Sequence, residues 1–255
     1  LVDDEEVETI PDRLRAYLEK ASREAKTHTS WIAPNQEFEK AFIDFALAVI
    51  QDENFKRTFL RLHRRVAYHG HLNSLSHLVL KLTSPGIPDF YQGTEVWDFS
   101  LVDPDNRRPV DYEMRRSMLR KLKASATKGT LDYSTLLRRW FDGRLKLFVT
   151  WRGLDLRVRR AETFRRGAYT RLGDSPHVVS FMRGENVLVA VPRLTTRLAK
   201  PNETPIGDVW KDAALDGVPG GSWKNVFTGD ALEVDGAVKL KDLFARFPVA
   251  ILERG

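Results

Sequence analysis

Apolar residues recur at helical spacing in segments from Ile10 to Phe164, and beyond Gly167 they fall instead into short β-rich runs separated by turns. The first helical pattern covers 10–27 and is expected to start near Pro11, since proline suits a first-turn position. Leu14, Tyr17, Leu18 and Ala21 share one side of it, with Lys20 and Arg23 on the polar side. Asn35 is a good N-cap for a helix reaching about Asp52, with Glu37 in its first turn. There Phe38, Phe42, Phe45 and Val49 predict a core-facing stripe. A third helix is predicted over 55–82, carrying Phe59, Leu62, Val66, Leu72, Leu75 and Val79, with Gly70 as a potential break. Asp111 reads as the N-cap of a helix over 111–127 that buries Met114, Met118, Leu119 and Leu122, and further helices are expected at 134–141 and 144–164.

Pro85, Gly86 and Pro88 terminate the third helix. Ile87 to Tyr91 then reads as a brief strand, and Gly93 allows a tight turn that leaves Tyr91, Gln92, Thr94 and Glu95 at its carboxyl end. After Gly167, strands are expected at 169–172, 178–182, 187–191, 226–227, 238–240 and 249–252. Gly173-Asp174, Arg183-Gly184 and Gly229-Asp230 supply turns, and 195–222 reads as a long loop with one irregular strand. The class is α+β: a helical part followed by an antiparallel, sandwich-like β domain.

The chain has 255 residues, of which 42% are hydrophobic, enough for one large core or two modest ones. No apolar run approaches the roughly 20 residues that span a bilayer, and the opening Asp3-Asp-Glu-Glu6 is unlike a signal peptide. The absence of cysteine rules out disulfides and thiolate metal sites and fits a cytoplasmic setting. A net charge of +6 raises nucleic acid as a partner. The excess lies in 138–166, where ten Arg and Lys residues face Asp142, Asp155 and Glu162, and a solvated or inter-domain face is the expectation there. His63, His69, His71 and His77 lack the three- or four-residue spacing of helical metal ligands, so no metal site is assigned. No cofactor is called for.

Carbohydrate sites combine an aromatic platform with planar polar groups, and 87–112 offers both. Tyr91 is the first candidate for a sugar-facing wall, with Gln92 and Glu95 as hydrogen-bonding residues; the alternative is that Tyr91 packs as core and Glu95 caps a loop. Asp89 is expected to be a buried structural carboxylate. Asp103, Asp105 and Asn106 look calcium-like, but Arg107 and Arg108 follow directly, which favours ion pairs that fix the loop. Ser30 lacks the glycines of a nucleophile elbow, so with His28 it makes no triad.

Ser84-Pro-Gly-Ile-Pro-Asp-Phe-Tyr-Gln-Gly-Thr-Glu95 and Asp103-Pro-Asp-Asn-Arg-Arg-Pro-Val-Asp-Tyr112 resemble the α-amylase superfamily. With His28-Thr-Ser-Trp-Ile-Ala-Pro-Asn35, Trp140-Phe-Asp-Gly-Arg-Leu-Lys-Leu147 and Phe247-Pro-Val-Ala-Ile-Leu252, the chain resembles the last third of the family of maltooligosyl trehalose synthases. The resemblance implies a carboxy-terminal fragment: the last strand and helices of a (β/α)8 barrel in 1–128, a helical connector in 129–166, and a β domain in 167–255. It also implies that no catalytic residue lies in this chain, since the family's His-Asp motif is missing, and that its partners are a maltooligosaccharide and the amino-terminal barrel. Placed after the family's seventh strand, His28 and Trp31 either approach the sugar or pack under the neighbouring helix. Another superfamily hydrolase and a stand-alone carbohydrate- or nucleic-acid-binding module are the alternatives.

Overall fold

The computed structural model describes residues 4–200 and 203–255, with side chains from Glu8 onward, so the side chains of the acidic opening lie outside it. The described residues form two compact units, 4–64 with 98–110, and 65–97 with the described part of 111–255. Among the described residues, no helix is long and apolar enough to cross a membrane.

In the first unit, α1 (Asp4–Ala25) packs on α2 (Gln36–Gln51), and α3 (Glu53–Thr83) begins. Pro11 lies inside α1 rather than at its start, because the preceding acidic turns hold few apolar residues for a periodic pattern to register. Asn35 caps α2 as expected, its side chain accepting from the Phe38 amide at 3.1 Å. The stripe on α2 is a correction. Ile43 and Glu39 are the buried residues, while Phe42 and Phe45 are exposed, Phe45 by 69%. On α3, which runs unbroken through Gly70, the predicted stripe is split: Phe59, Leu62 and Val66 are exposed, whereas Leu72, Leu75 and Val79 are buried.

The loop 98–110 is fixed by ion pairs, as its composition suggested. The Arg13 guanidinium donates to both Asp105 oxygens at 3.0 and 2.8 Å, the Leu101 amide donates to the same carboxylate at 2.6 Å, and Lys20 reaches Asp103 at 3.0 Å. Both basic residues assigned to the polar side of α1, Lys20 and Arg23, are thus ion-paired.

The second unit is built on α4 (Tyr112–Thr127), α5 (Tyr133–Arg138), α6 (Arg144–Arg159) and α7 (Ala161–Arg166). They are followed by β1 (Tyr169–Arg171), β2 (Val178–Arg183), β3 (Val187–Pro192), β4 (Ala214–Asn225), β5 (Ala231–Lys239), α8 (Leu240–Leu243) and β6 (Ala250–Arg254). All six strands join one antiparallel sheet in the order β1-β2-β3-β6-β4-β5. Alternation along the central strands decides the packing. Val187, Val189, Val191 and Ile251 meet Leu75, Val79 and Leu82 of α3 and Phe148 and Leu156 of α6. Their neighbours Leu188, Ala190 and Leu252 meet Trp210, Trp223 and Phe244 on the opposite side.

The antiparallel sheet expected of a sandwich-like domain is present, with all its strands joined in one continuous hydrogen-bonded sheet. Helices cover the first face, and the second is closed by α8 together with β4, whose register shifts between Asp216 and Gly221 bend it so that Leu215, Val218 and Trp223 turn inward. The irregular strand expected within the loop 195–222 is β4, which starts at 214 and carries the register shifts, while Val226-Phe227 follows β4 instead of forming a strand.

A second correction concerns part of the basic segment. Arg138, Arg139, Arg159, Arg165 and Arg166 are exposed, as expected of a solvated face, whereas three other arginines dock elements within the second unit. Arg152 donates to the Val226 carbonyl at 2.8 Å, Arg157 to Leu82 at 2.7 Å, and Arg160 to Glu253 and to the Arg254 carbonyl at 2.7 and 2.6 Å. Such donors are spent on the protein and are not free for phosphate.

The third correction is the strand at 87–91, which does not form; Ile87 is exposed and so is Asp89, expected to be buried. A strand exists only through hydrogen bonds to neighbours, and a parallel barrel strand needs them on both sides. The sheet of this unit is antiparallel throughout and offers none to this segment, and Pro85 and Pro88 lack donors of their own.

Candidate functional site

Each of the five resemblance-bearing runs can be followed to a physical task. Tyr91 to Glu95 form a turn in which the Thr94 amide and hydroxyl both donate to the Tyr91 carbonyl, at 3.2 and 2.7 Å. Gly93 sits buried at φ +87°, a conformation that favours glycine. From α4, Arg115 grips this turn, donating to the Gly93 carbonyl at 2.7 Å and to the Glu95 carboxylate at 3.2 Å, while a third donor holds the Asp111 carbonyl at 3.0 Å. Asp111 itself caps α4 through the Met114 amide.

The run at Trp140 clamps the other end of the same loop. The Trp97 indole donates to the Trp140 carbonyl, Lys146 donates to the Val96 carbonyl at 3.0 Å, and the Trp140 ring stacks on His71 at 4.0 Å. Gly143, at φ +76°, leaves space that a Cβ would contest with Val96 at 2.7 Å. Burial holds the His71 imidazole down at about 4, so it is a neutral aromatic partner here. His69 pairs with the Thr195 hydroxyl at 3.0 Å. Phe247 of the closing run packs among Phe148, Tyr133 and Phe227.

Held at both ends, the loop presents Tyr91 and Gln92 to solvent, Tyr91 at 49% exposure, with Glu95 half-buried under Arg115. Glu95 thus acts in loop fixation, and Tyr91 is not core. Among the described residues no group of three or more His, Asp or Glu side chains is arranged to hold a metal ion.

His28 and Trp31 lie in the first unit, and their loop has its own anchor. Glu39, buried in α2, accepts two bonds from Arg23 at 2.8 Å and one from the Thr29 hydroxyl at 2.5 Å, and Thr29 in turn accepts from the Asn35 amide at 2.9 Å. Trp31 is 55% exposed, with Arg23 over its ring at 4.8 Å, and it borders a groove of about 380 Å³ together with Lys20, Glu24 and Asp103. His28 is exposed, its ring 4.9 Å from Phe38.

Chemically, the two loops offer exposed aromatic faces with planar polar groups beside them, and no nucleophile paired to a base. No family model matches the chain. A protein of Mycobacterium tuberculosis H37Rv, provisionally named maltooligosyl trehalose synthase, is 37% identical over 246 residues, or 95% of this chain and 28% of its own length. The solved maltooligosyltrehalose synthase of Arthrobacter ramosus is 33% identical with a TM-score of 0.77, covering 96% of this chain and 30% of that one. A hypothetical maltooligosyl trehalose synthase of Sulfolobus tokodaii aligns over 96% of this chain and 29% of its own, at 30% identity and a TM-score of 0.70. The chain matches the C-terminal part of maltooligosyl trehalose synthases. It spans under a third of the length of the curated relatives it matches, 28%.

Within that synthase-like chain, sequence reasoning had named the exposed residues and missed those that hold them. Arg115 was findable, since it follows the Asp111 cap by four residues and so lies one turn along the same face of α4. Glu39 carries the same signal relative to Asn35. Arg23 and Thr29 hold the Glu39 carboxylate down at about 2, against an ordinary value of 4.5. A depressed carboxylate contributes stability that is complete above its unfolded value and is lost as pH falls through the folded one. The order of the 28–35 loop is therefore expected to persist to below pH 4 and to fail towards about 2. Following the Trp31 indole resonance during acid titration checks this. Glu39→Gln should abolish the transition, and a midpoint near 4.5 in the unmodified protein would remove the Arg23 pairing from the account.

Proposed function

We propose that this chain is the C-terminal part of an enzyme that converts the reducing-end α-1,4 linkage of a maltooligosaccharide into an α,α-1,1 linkage by intramolecular transglycosylation, yielding a maltooligosyl trehalose. The observation that carries this reading is the match to maltooligosyl trehalose synthases over 95% of the chain in sequence and 96% in structure. The reaction retains anomeric configuration, which calls for a carboxylate nucleophile and a second carboxyl acting as acid and then base. Those carboxylates belong to the part of the enzyme outside this chain.

What this chain supplies is walls. The released glucose must turn within a closed pocket and attack through its anomeric hydroxyl before water does, so water exclusion sets the outcome. Tyr91 serves as a sugar-facing wall with Gln92 beside it, Glu95 and Arg115 keep that wall in place, and Trp31 and His28 line a separate stretch of the substrate path. In the complete enzyme, 87–91 gains strand neighbours from the amino-terminal part and becomes the last barrel strand. The cysteine-free composition supports a cytoplasmic site of action.

The test is incubation of maltopentaose with the full-length protein and, separately, with this chain. The full-length protein should give a non-reducing product, and the chain alone none. Glucose without a non-reducing product would replace the isomerase reading with the hydrolase one. Product from the chain alone would return the catalytic carboxylates to it.

A further inference from the structure

Ile10 of α1, Ile50 near the end of α2, and Phe55, Phe59 and Leu60 of α3 line an open groove of about 670 Å³, wholly within the first unit. Its floor is aromatic: the Phe55 and Phe59 rings stack at 5.3 Å, and Phe59 stacks on His63 at 5.9 Å. Phe59 is 46% exposed and Leu60 41%. Monomeric proteins rarely leave contiguous apolar surface of this kind bare, because each Å² forgoes about 25 cal/mol of burial.

The rim is basic. Lys56, paired with Glu53 at 2.7 Å, and Arg64, which makes no ion pair among the described residues, line it beside His63. The surface that fits this groove is apolar at its centre and carries carboxylates at its edge. A chain spanning 28% of its relatives' length has most of such a protein still to accommodate.

We infer that this groove is the seat of the amino-terminal remainder of the same polypeptide, docked through an apolar, acid-rimmed surface. The inference rests on the proposed function only in taking the chain as part of a longer synthase. This chain has no cysteine, so Phe59→Cys supplies a single thiol within it. Maleimide labelling of that thiol, read by peptide mapping, should be fast in the 255-residue chain and slower by about tenfold or more in the full-length protein, where docking would bury it. Glu233→Cys, on exposed β5, should label equally in both. Leu60→Cys gives the same comparison should Phe59→Cys prevent folding.

Equal rates at the groove positions in the two proteins would overturn the inference. So would protection that rises with the concentration of the 255-residue chain alone, since a second copy would then be the occupant. Assaying the same full-length sample with maltopentaose separates the two claims. Protection without a non-reducing product leaves the docking surface standing and removes the enzymatic reading. Product without protection does the reverse.

Discussion

Arg183→Met is expected to cost about 3–5 kcal/mol of stability in the second unit, because buried carbonyls that lose their donor cost about 1–3 kcal/mol each. Arg183 is 2% exposed at the end of β2, and burial lowers the affinity of its guanidinium for its proton. Its charge is balanced by backbone. One nitrogen donates to the Thr83 carbonyl at 2.8 Å, and another to Phe164 at 3.0 Å and Gly167 at 3.3 Å. Thr83 closes α3, and Phe164 and Gly167 lie at the end of α7, so the cation meets the negative ends of two helices at once. Methionine fills much of the volume but donates nothing, leaving three carbonyls that were bonded without a partner. Arg183→Lys should fall between, because one ammonium cannot reach both helix ends. Denaturant titration of the three proteins checks the order. A loss below about 1 kcal/mol for the methionine variant would mean that water substitutes for the guanidinium, and the residue would no longer count as the pin of the helical layer.

The helices were legible because their ends are written in local chemistry. Asn35 and Asp111 each accept from the third residue onward, as an N-cap should, and both were named from sequence. The β region was legible for the same kind of reason, since Val187 to Val191 is β-branched and bounded by turn residues. Burial was harder to read, because it depends on what lies opposite. Phe38, Phe42 and Phe45 have perfect helical spacing, yet spacing cannot tell a stripe against a neighbour from one that awaits a neighbour. The same blindness produced the strand at 87–91: its pattern is that of a strand, but no described strand lies beside it to accept its bonds. Arg183 failed in the opposite direction. A charged residue before glycine reads as a turn, and only the tertiary arrangement of two helix ends turns it into a buried clamp.

On the proposed role of a sugar-facing wall, Tyr91→Ala in the full-length protein should leave folding nearly intact while lowering turnover on the order of tenfold, because interactions made only around the reacting sugar act on the rate. The stability side follows from exposure. A buried aromatic costs about 3–5 kcal/mol when truncated, whereas a wall residue faces the open cleft; Tyr91 keeps 49% of its surface in solvent in this chain, and its turn is held by backbone bonds and by Arg115. A loss below about 1 kcal/mol is therefore expected. The chemical side follows from what a wall does. With the ring gone, water reaches the glycosyl-enzyme before the released glucose has turned, so the ratio of hydrolysis to isomerisation should rise as total turnover falls. Tyr91→Phe keeps the ring and should keep the ratio. Arg115→Met gives an independent check: it frees the turn that carries the wall without touching sugar, so it should shift the ratio in the same direction by less. Sugar analysis alongside melting decides the matter. An unchanged product ratio with a large drop in melting temperature would make Tyr91 a packing residue of the complete enzyme, and the wall would have to be sought elsewhere.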